Sequence, residues 1–171
     1  MRYIQNFLAT STDQETLLYC MWSLQYITRG GGESEINEVL QMEIFEDIFK
    51  CLQIDNDKLK AVTLRTIINI SSESDYQMQA LMNRGLLDAL YPLLQDSNRS
   101  VRTQASAVYA NLLAGTGDQV KEVIDWHDGK VIQTLMEMVN RDHPDVNFFC
   151  EQKLIFFLGF GRVYLCTVQC M

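Results

Sequence analysis

A period of some forty residues constrains this chain more than its composition does. From Thr63 to Asn83, in TLRTIINISSESDYQMQALMN, an apolar helix carrying Arg65 and Asn69 one turn apart leads through a short polar break into a second apolar run. The arrangement returns in SVRTQASAVYANLLAGTGDQVKEVID, where Ala107 and Asn111 hold the equivalent places. Fainter copies flank these two: LYCMWSLQYITRG presents Trp22 and Tyr26, and CEQKLIFFLGFG presents Gln152 and Phe156. Tyr26, Asn69, Asn111 and Phe156 stand 43, 42 and 45 residues apart, inside the roughly 40 to 47 residues of helical units that stack into arrays. The expected fold is therefore all-α, a solenoid of about four units whose apolar faces are buried only by their neighbours.

The chain is long enough for that, since an array needs roughly three units to be stable. Only two prolines, Pro92 and Pro144, interrupt a sequence that is 47% apolar, and the apolar residues recur at helical rather than alternating spacing. That periodicity predicts helices over 15–29, 34–42, 44–52, 58–72, 75–82, 86–94, 98–113, 118–126, 131–139 and 144–160. Helix starts are expected at Ser11 or Thr12, at the DND of 55–57 and at Ser97, because short polar side chains accept hydrogen bonds from the first free N–H groups. Gly30, Gly31 and Gly32 follow a helix and lead to Glu33 and Glu35. They read as a helix end in left-handed conformation, not as a phosphate loop, which needs Gly-Lys-Ser/Thr opening a helix after a strand. The resulting division is a partial unit over 1–29, units over 30–72 and 73–115, a degenerate or capping unit over 116–161 and a tail over 162–171. Three helices per unit, one of them short, is the armadillo pattern rather than the two-helix HEAT pattern.

Charge and chemistry narrow the function classes. A formal charge of −8 argues against a nucleic-acid binder, whose footprint is basic, and suits a partner rich in Lys and Arg. The longest apolar tract, 154–170, is broken by Gly159, Gly161 and Arg162 and falls short of the roughly 20 apolar residues a bilayer helix needs, so no membrane partner is expected. Five cysteines, with no charged and then apolar leader after Met1, fit reduced thiols in the cytoplasm or nucleus. His127 and His143 stand apart, and Cys166 with Cys170 lacks the paired spacing of a zinc site. No Ser, Cys or Thr has a recognisable base motif beside it. No catalytic residue, metal or cofactor is expected; the chain reads as a binding module rather than an enzyme.

The run from Trp22 to about Val123 resembles the armadillo domain of the importin-α (karyopherin-α) family, adaptors for basic nuclear localisation signals. The stretches MWSLQYIT, LRTIINI, QMQALMNRGLLDALYPLL and QASAVYANLLAGTGDQVKEVI carry it, and the succession Trp-Tyr, Arg-Asn, x-Asn resembles the family's middle-to-late repeats. The resemblance implies a right-handed superhelix whose third helices line a concave groove, with Trp22, Tyr26, Arg65, Asn69 and Asn111 along it and an extended basic peptide running antiparallel to the repeats. An Asn amide can pair with both the N–H and the C=O of a peptide main chain. A Trp face can cover a Lys stem and attract its ammonium. Arg65 would repel a basic side chain and is suited to a carboxylate or a peptide carbonyl. Tyr26 can donate to a bound peptide or pack on Trp22. The pattern departs from the family at Ala107 and Gln152, which replace tryptophans, and at Arg29, where the family places an acidic residue. Arg2 is the only basic residue before Arg29, so the basic segment by which the family binds importin-β has no counterpart. A competing reading is an armadillo scaffold of the catenin kind, or an array that associates with its own copies through exposed end units to form a homo-oligomer.

Overall fold

The computed structural model describes residues 2–142, and α-helices with two short 3-10 turns make up all of the regular structure in that stretch. The helix expected over 144–160, Gln152, Phe156 and the tail lie outside the described residues. In chain order the helices are α1 (Arg2–Thr10), α2 (Gln14–Gly30), α3 (Glu33–Gln41), α4 (Phe45–Gln53), α5 (Asp57–Ser71), α6 (Asp75–Met82), α7 (Leu86–Leu90), α8 (Arg99–Leu112), α9 (Gly117–Asp125) and α10 (Lys130–Asp142).

These helices stack as three parallel rows. The long helices α2, α5 and α8 lie side by side; α1, α4, α7 with its following turn, and α10 form a second row; α3 packs on α6. Hydrogen bonds carry the third row on from α6 to α9, where Gln119 Nε2 donates to Asp75 O at 2.7 Å and Gln79 Nε2 to Glu122 at 3.2 Å. One continuous apolar cluster runs from Leu8 to Met138, with Met21, Leu24, Ile36, Ile48, Leu64, Ile67 and Tyr109 fully buried in it. This is the expected solenoid: each unit hides its apolar face only in the next.

Local chemistry corrects several expected boundaries. Asp13, not Ser11 or Thr12, caps α2, its carboxylate accepting from Thr16 N at 2.9 Å and Thr16 Oγ1 at 2.6 Å, while Ser11 Oγ accepts from Asp13 N. A carboxylate satisfies the orphan N–H and also meets the positive helix end, which a hydroxyl does not. The hydroxyl bond from Thr16 is the main reason that the Asp13 carboxyl sits below its usual range. Likewise Asn98, not Ser97, caps α8, whereas Asn56 caps α5 from within the expected DND. The helix expected over 86–94 changes at Pro92: α7 stops at Leu90 and the chain continues as a 3-10 turn over Tyr91–Gln95, since proline lacks the N–H that an α-turn would use. Gly31 ends α2 in an extended conformation, φ −80°, rather than a left-handed one. Glycine is required there for space, because a Cβ would lie 2.6 Å from both Ile27 O and Glu35 Cβ. A left-handed glycine does occur at Gly85, φ 85°, where it turns the chain into α7, and another at Gly129, φ 82°.

Polar side chains stitch the units at separations that repeat the period. Asn56 Nδ2 donates to Gln14 at 2.9 Å, 42 residues back, and Asn98 Nδ2 to Asp57 at 2.6 Å, 41 residues back. Gln77 and Gln119, both buried near the start of the first helix of their units, reach Asn37 and Asp75 O at separations of 40 and 44. Arg84 donates to Leu40 O, 44 residues back, with its guanidinium 5.2 Å from the Phe45 ring centre. The periodicity in the sequence is thus also the spacing of the bonds that join the units.

Candidate peptide-binding groove

The candidate surface is the one formed by α2, α5 and α8, which lie side by side. Each begins with a side-chain cap, Asp13, Asn56 or Asn98, so the three start in step and corresponding positions stand abreast. Trp22, Arg65 and Ala107 form one line across them, and Tyr26, Asn69 and Asn111 the next, one turn further on. Tyr26 is 82% exposed and Trp22 49%; Arg65 is exposed, while Asn69, Ala107 and Asn111 are half-buried. The inward faces are apolar: Met21 and Leu24 on α2, Leu64 and Ile67 on α5, Val108 and Leu112 on α8 are all fully buried.

The two asparagines are oriented by the preceding long helix. Asn69 Nδ2 donates to Thr28 Oγ1 at 3.2 Å and reaches Gln25 O at 3.4 Å. Asn111 Nδ2 donates to Ser71 Oγ at 3.1 Å. Both hydroxyl protons are already committed, Thr28 to Leu24 O at 2.9 Å and Ser71 to Ile68 O at 3.2 Å. Each hydroxyl therefore offers only a lone pair, and the amide must turn its NH2 inward to meet it. The carbonyl Oδ1 of each asparagine is left for a ligand's N–H; at Asn111 the second amide hydrogen is left as well, whereas at Asn69 the two amide hydrogens have Thr28 Oγ1 and Gln25 O as acceptors. Sequence reasoning named Asn69 and Asn111 but missed Thr28 and Ser71, which are buried at 3% and 1% exposure. The signal was a small hydroxyl residue two places after Tyr26 and again two after Asn69.

Trp22 makes its ring contact with Tyr19, edge to face at 5.7 Å between centres, not with Tyr26. Tyr19 is 60% exposed and extends the aromatic surface of α2, an addition that three-residue spacing could have signalled. No salt bridge to Arg29 or Arg65 occurs among the described residues. Nor, among them, is there a group of three His, Cys, Asp or Glu that could hold a metal ion, or a helix long and apolar enough to cross a membrane.

Among solved structures, a designed armadillo repeat protein superposes with a TM-score of 0.74 at 24% identity, covering 84% of this chain and 58% of that one. A second, solved in complex with the peptide (KR)4, gives 0.79 at 19% identity over 88% of this chain and 61% of its own. The sequence is 29% identical over 119 residues to importin subunit alpha-1a of Oryza sativa subsp. japonica. The chain has the armadillo-repeat fold and is similar in sequence to importin-α subunits. Importin subunit alpha-1b of the same organism matches at 27% over 99 residues. The matched segments cover 69% and 57% of this chain but only 22% and 18% of those relatives. No family model matches the chain. The rung of Tyr26, Asn69 and Asn111 falls on the long helices α2, α5 and α8, which lie side by side in successive units.

Proposed function

We propose that this groove binds an extended basic peptide of nuclear-localisation-signal type, and that the chain serves as a cargo-binding module in import from cytoplasm to nucleus. The observation that carries the reading is the fixed presentation of the Asn69 and Asn111 amides, two main-chain anchors on adjacent repeats. Armadillo repeats lie about 10 Å apart from helix to helix, close to three residues of extended chain, so successive anchors meet a peptide at a regular interval. Trp22, half exposed, offers its ring to a lysine stem and ammonium, a contact of about 0.5 to 2 kcal/mol. The similarity to importin-α subunits and to a designed armadillo protein holding (KR)4 supports the same direction.

The test is a fluorescence-anisotropy titration of a labelled KKRK-type peptide. Binding in the micromolar range or tighter is expected, weakened about tenfold by Trp22→Ala and more by Asn69→Ala with Asn111→Ala. Unchanged binding in the double variant removes these residues from the site.

A second reading, self-association as a scaffold, is favoured by the aromatic surface of α1 and α2. Tyr3 and Tyr26 are each 82% exposed and Phe7 47%, on helices whose counterparts α4 and α5 are covered by the preceding unit. Light scattering that shows a concentration-dependent dimer without peptide affinity would favour it.

A further inference from the structure

Charge is distributed unevenly between the two sides of this solenoid. The acidic residues that give the chain its net −8 crowd the outer helices: Glu33, Glu35 and Glu38 on α3, Glu46 and Asp47 on α4, Asp118, Glu122 and Asp125 on α9. The groove helices α5 and α8 carry Lys58, Lys60, Arg65, Arg99 and Arg102 against one carboxylate, Asp57. Asp57 already accepts from Asn98 Nδ2 at 2.6 Å, and Lys60 is paired with Asp96 at 2.7 Å. Arg65, one turn before Asn69, has no such partner among the described residues. Arg29, exposed at the end of α2, directly follows Thr28, which holds the Asn69 amide. Arg65 on α5 and Arg29 on α2 are thus exposed cations close in sequence to Asn69 and to the residue that holds its amide. Ala107, the next position on the line of Trp22 and Arg65, offers a cation neither an aromatic face nor an acid.

We propose that the peptide this groove selects is of mixed charge. A lysine or arginine lies on Trp22, and about three residues along, where the chain crosses to α5, an aspartate or glutamate is held by Arg65 and Arg29 beside Asn69. This rests on the peptide-binding reading and specifies its ligand. A uniformly basic peptide meets the ring of Trp22 favourably and the two arginines unfavourably. A carboxylate at the second place turns that repulsion into charge-assisted hydrogen bonds, for which the guanidinium fork is built.

The experiment uses the full chain and three labelled peptides: a lysine block alone, the block with a glutamate pair three residues to either side, and the same peptides with glutamine in place of glutamate. The glutamate peptide in the correct direction is expected to bind about tenfold more tightly than its glutamine counterpart at low salt, the gap closing as salt is raised. Arg65→Gln should remove the preference and Arg65→Glu reverse it, with circular dichroism unchanged because the side chain is exposed. Equal affinity for glutamate and glutamine peptides, in a protein whose binding still responds to Asn69→Ala, overturns the charge assignment alone. No binding of any peptide overturns the peptide reading and the assignment with it.

Discussion

Thr28→Val isolates the device that orients the groove. Thr28 is 3% exposed and cannot touch a ligand, and valine has its shape without a hydroxyl. The substitution removes the nearer acceptor of the Asn69 amide, leaving only the longer contact to Gln25 O, and leaves the helix intact, since the hydroxyl's own bond to Leu24 O is additional to the backbone bond. The lost bond is neutral and part-buried, so stability should fall by about 1 kcal/mol. Binding should weaken as well, because Asn69 must then be ordered by the ligand, at about 0.5 to 1.5 kcal/mol for one immobilised side chain. That is a two- to tenfold loss in peptide affinity from a residue outside the groove. Ser71→Ala should do the same through Asn111. The assays are urea unfolding and the anisotropy titration on the same preparations. Full affinity in a folded Thr28→Val protein would refute the claim that the preceding helix sets the amide.

Three further outcomes follow from the joints between units and from the buried thiols. Asn98→Ala should lower stability by about 2 kcal/mol, roughly half from the cap on Ser100 N and half from the bond to Asp57. Asn98→Asp, which keeps the cap but sets two carboxylates together, should lose about 1 kcal/mol in the same urea assay; an aspartate variant as stable as the parent would mean the bond to Asp57 contributes nothing. The Lys60–Asp96 pair is largely buried, with side-chain exposures of 12% and 8%, so Asp96→Ala should cost about 3 kcal/mol. Burial raises the Asp96 carboxyl, but bonds from Lys60 and Asn98 N outweigh it and hold it below its usual value of 3.8; its contribution is present above that value and lost as pH falls through the depressed one, a loss the alanine variant should not show in acid unfolding. Burial pushes the Cys51 thiol up to about 11 from an ordinary 9.0, so its contribution is intact below pH 9 and fades as pH rises towards 11. Mass-spectrometric mapping of alkylation at pH 8 should find Cys51 unmodified until denaturant is added.

The solenoid was legible because its signal is long-range and redundant. Arg65 with Asn69 and Ala107 with Asn111 recur with the same flanking apolar residues, and the helices over 58–72 and 75–82 were readable nearly to their ends. Caps were less so: Ser11, Thr12 and Asp13 are all competent, and only the geometry of the turn shows that the Asp13 carboxylate reaches Thr16 N. The break at Tyr91 followed from Pro92 but was masked by the apolar spacing of Leu86, Leu90 and Leu94. In the groove, positions could be read and orientations could not. The inward turn of the Asn69 and Asn111 amides depends on Thr28 and Ser71, about forty residues away in sequence, and on hydroxyl protons already committed to their own helix.

The central claim, that a ligand's main chain is held by the Asn69 and Asn111 amides, is tested most directly by following the asparagine side-chain NH2 resonances by NMR during titration with the lysine-block peptide. Saturable shifts of the Asn69 and Asn111 signals with a common dissociation constant are expected, while Asn37 and Asn83 on the outer surface stay in place. Shifts confined to Asn37 and Asn83, with the Asn69 and Asn111 signals unmoved at saturation, would contradict it.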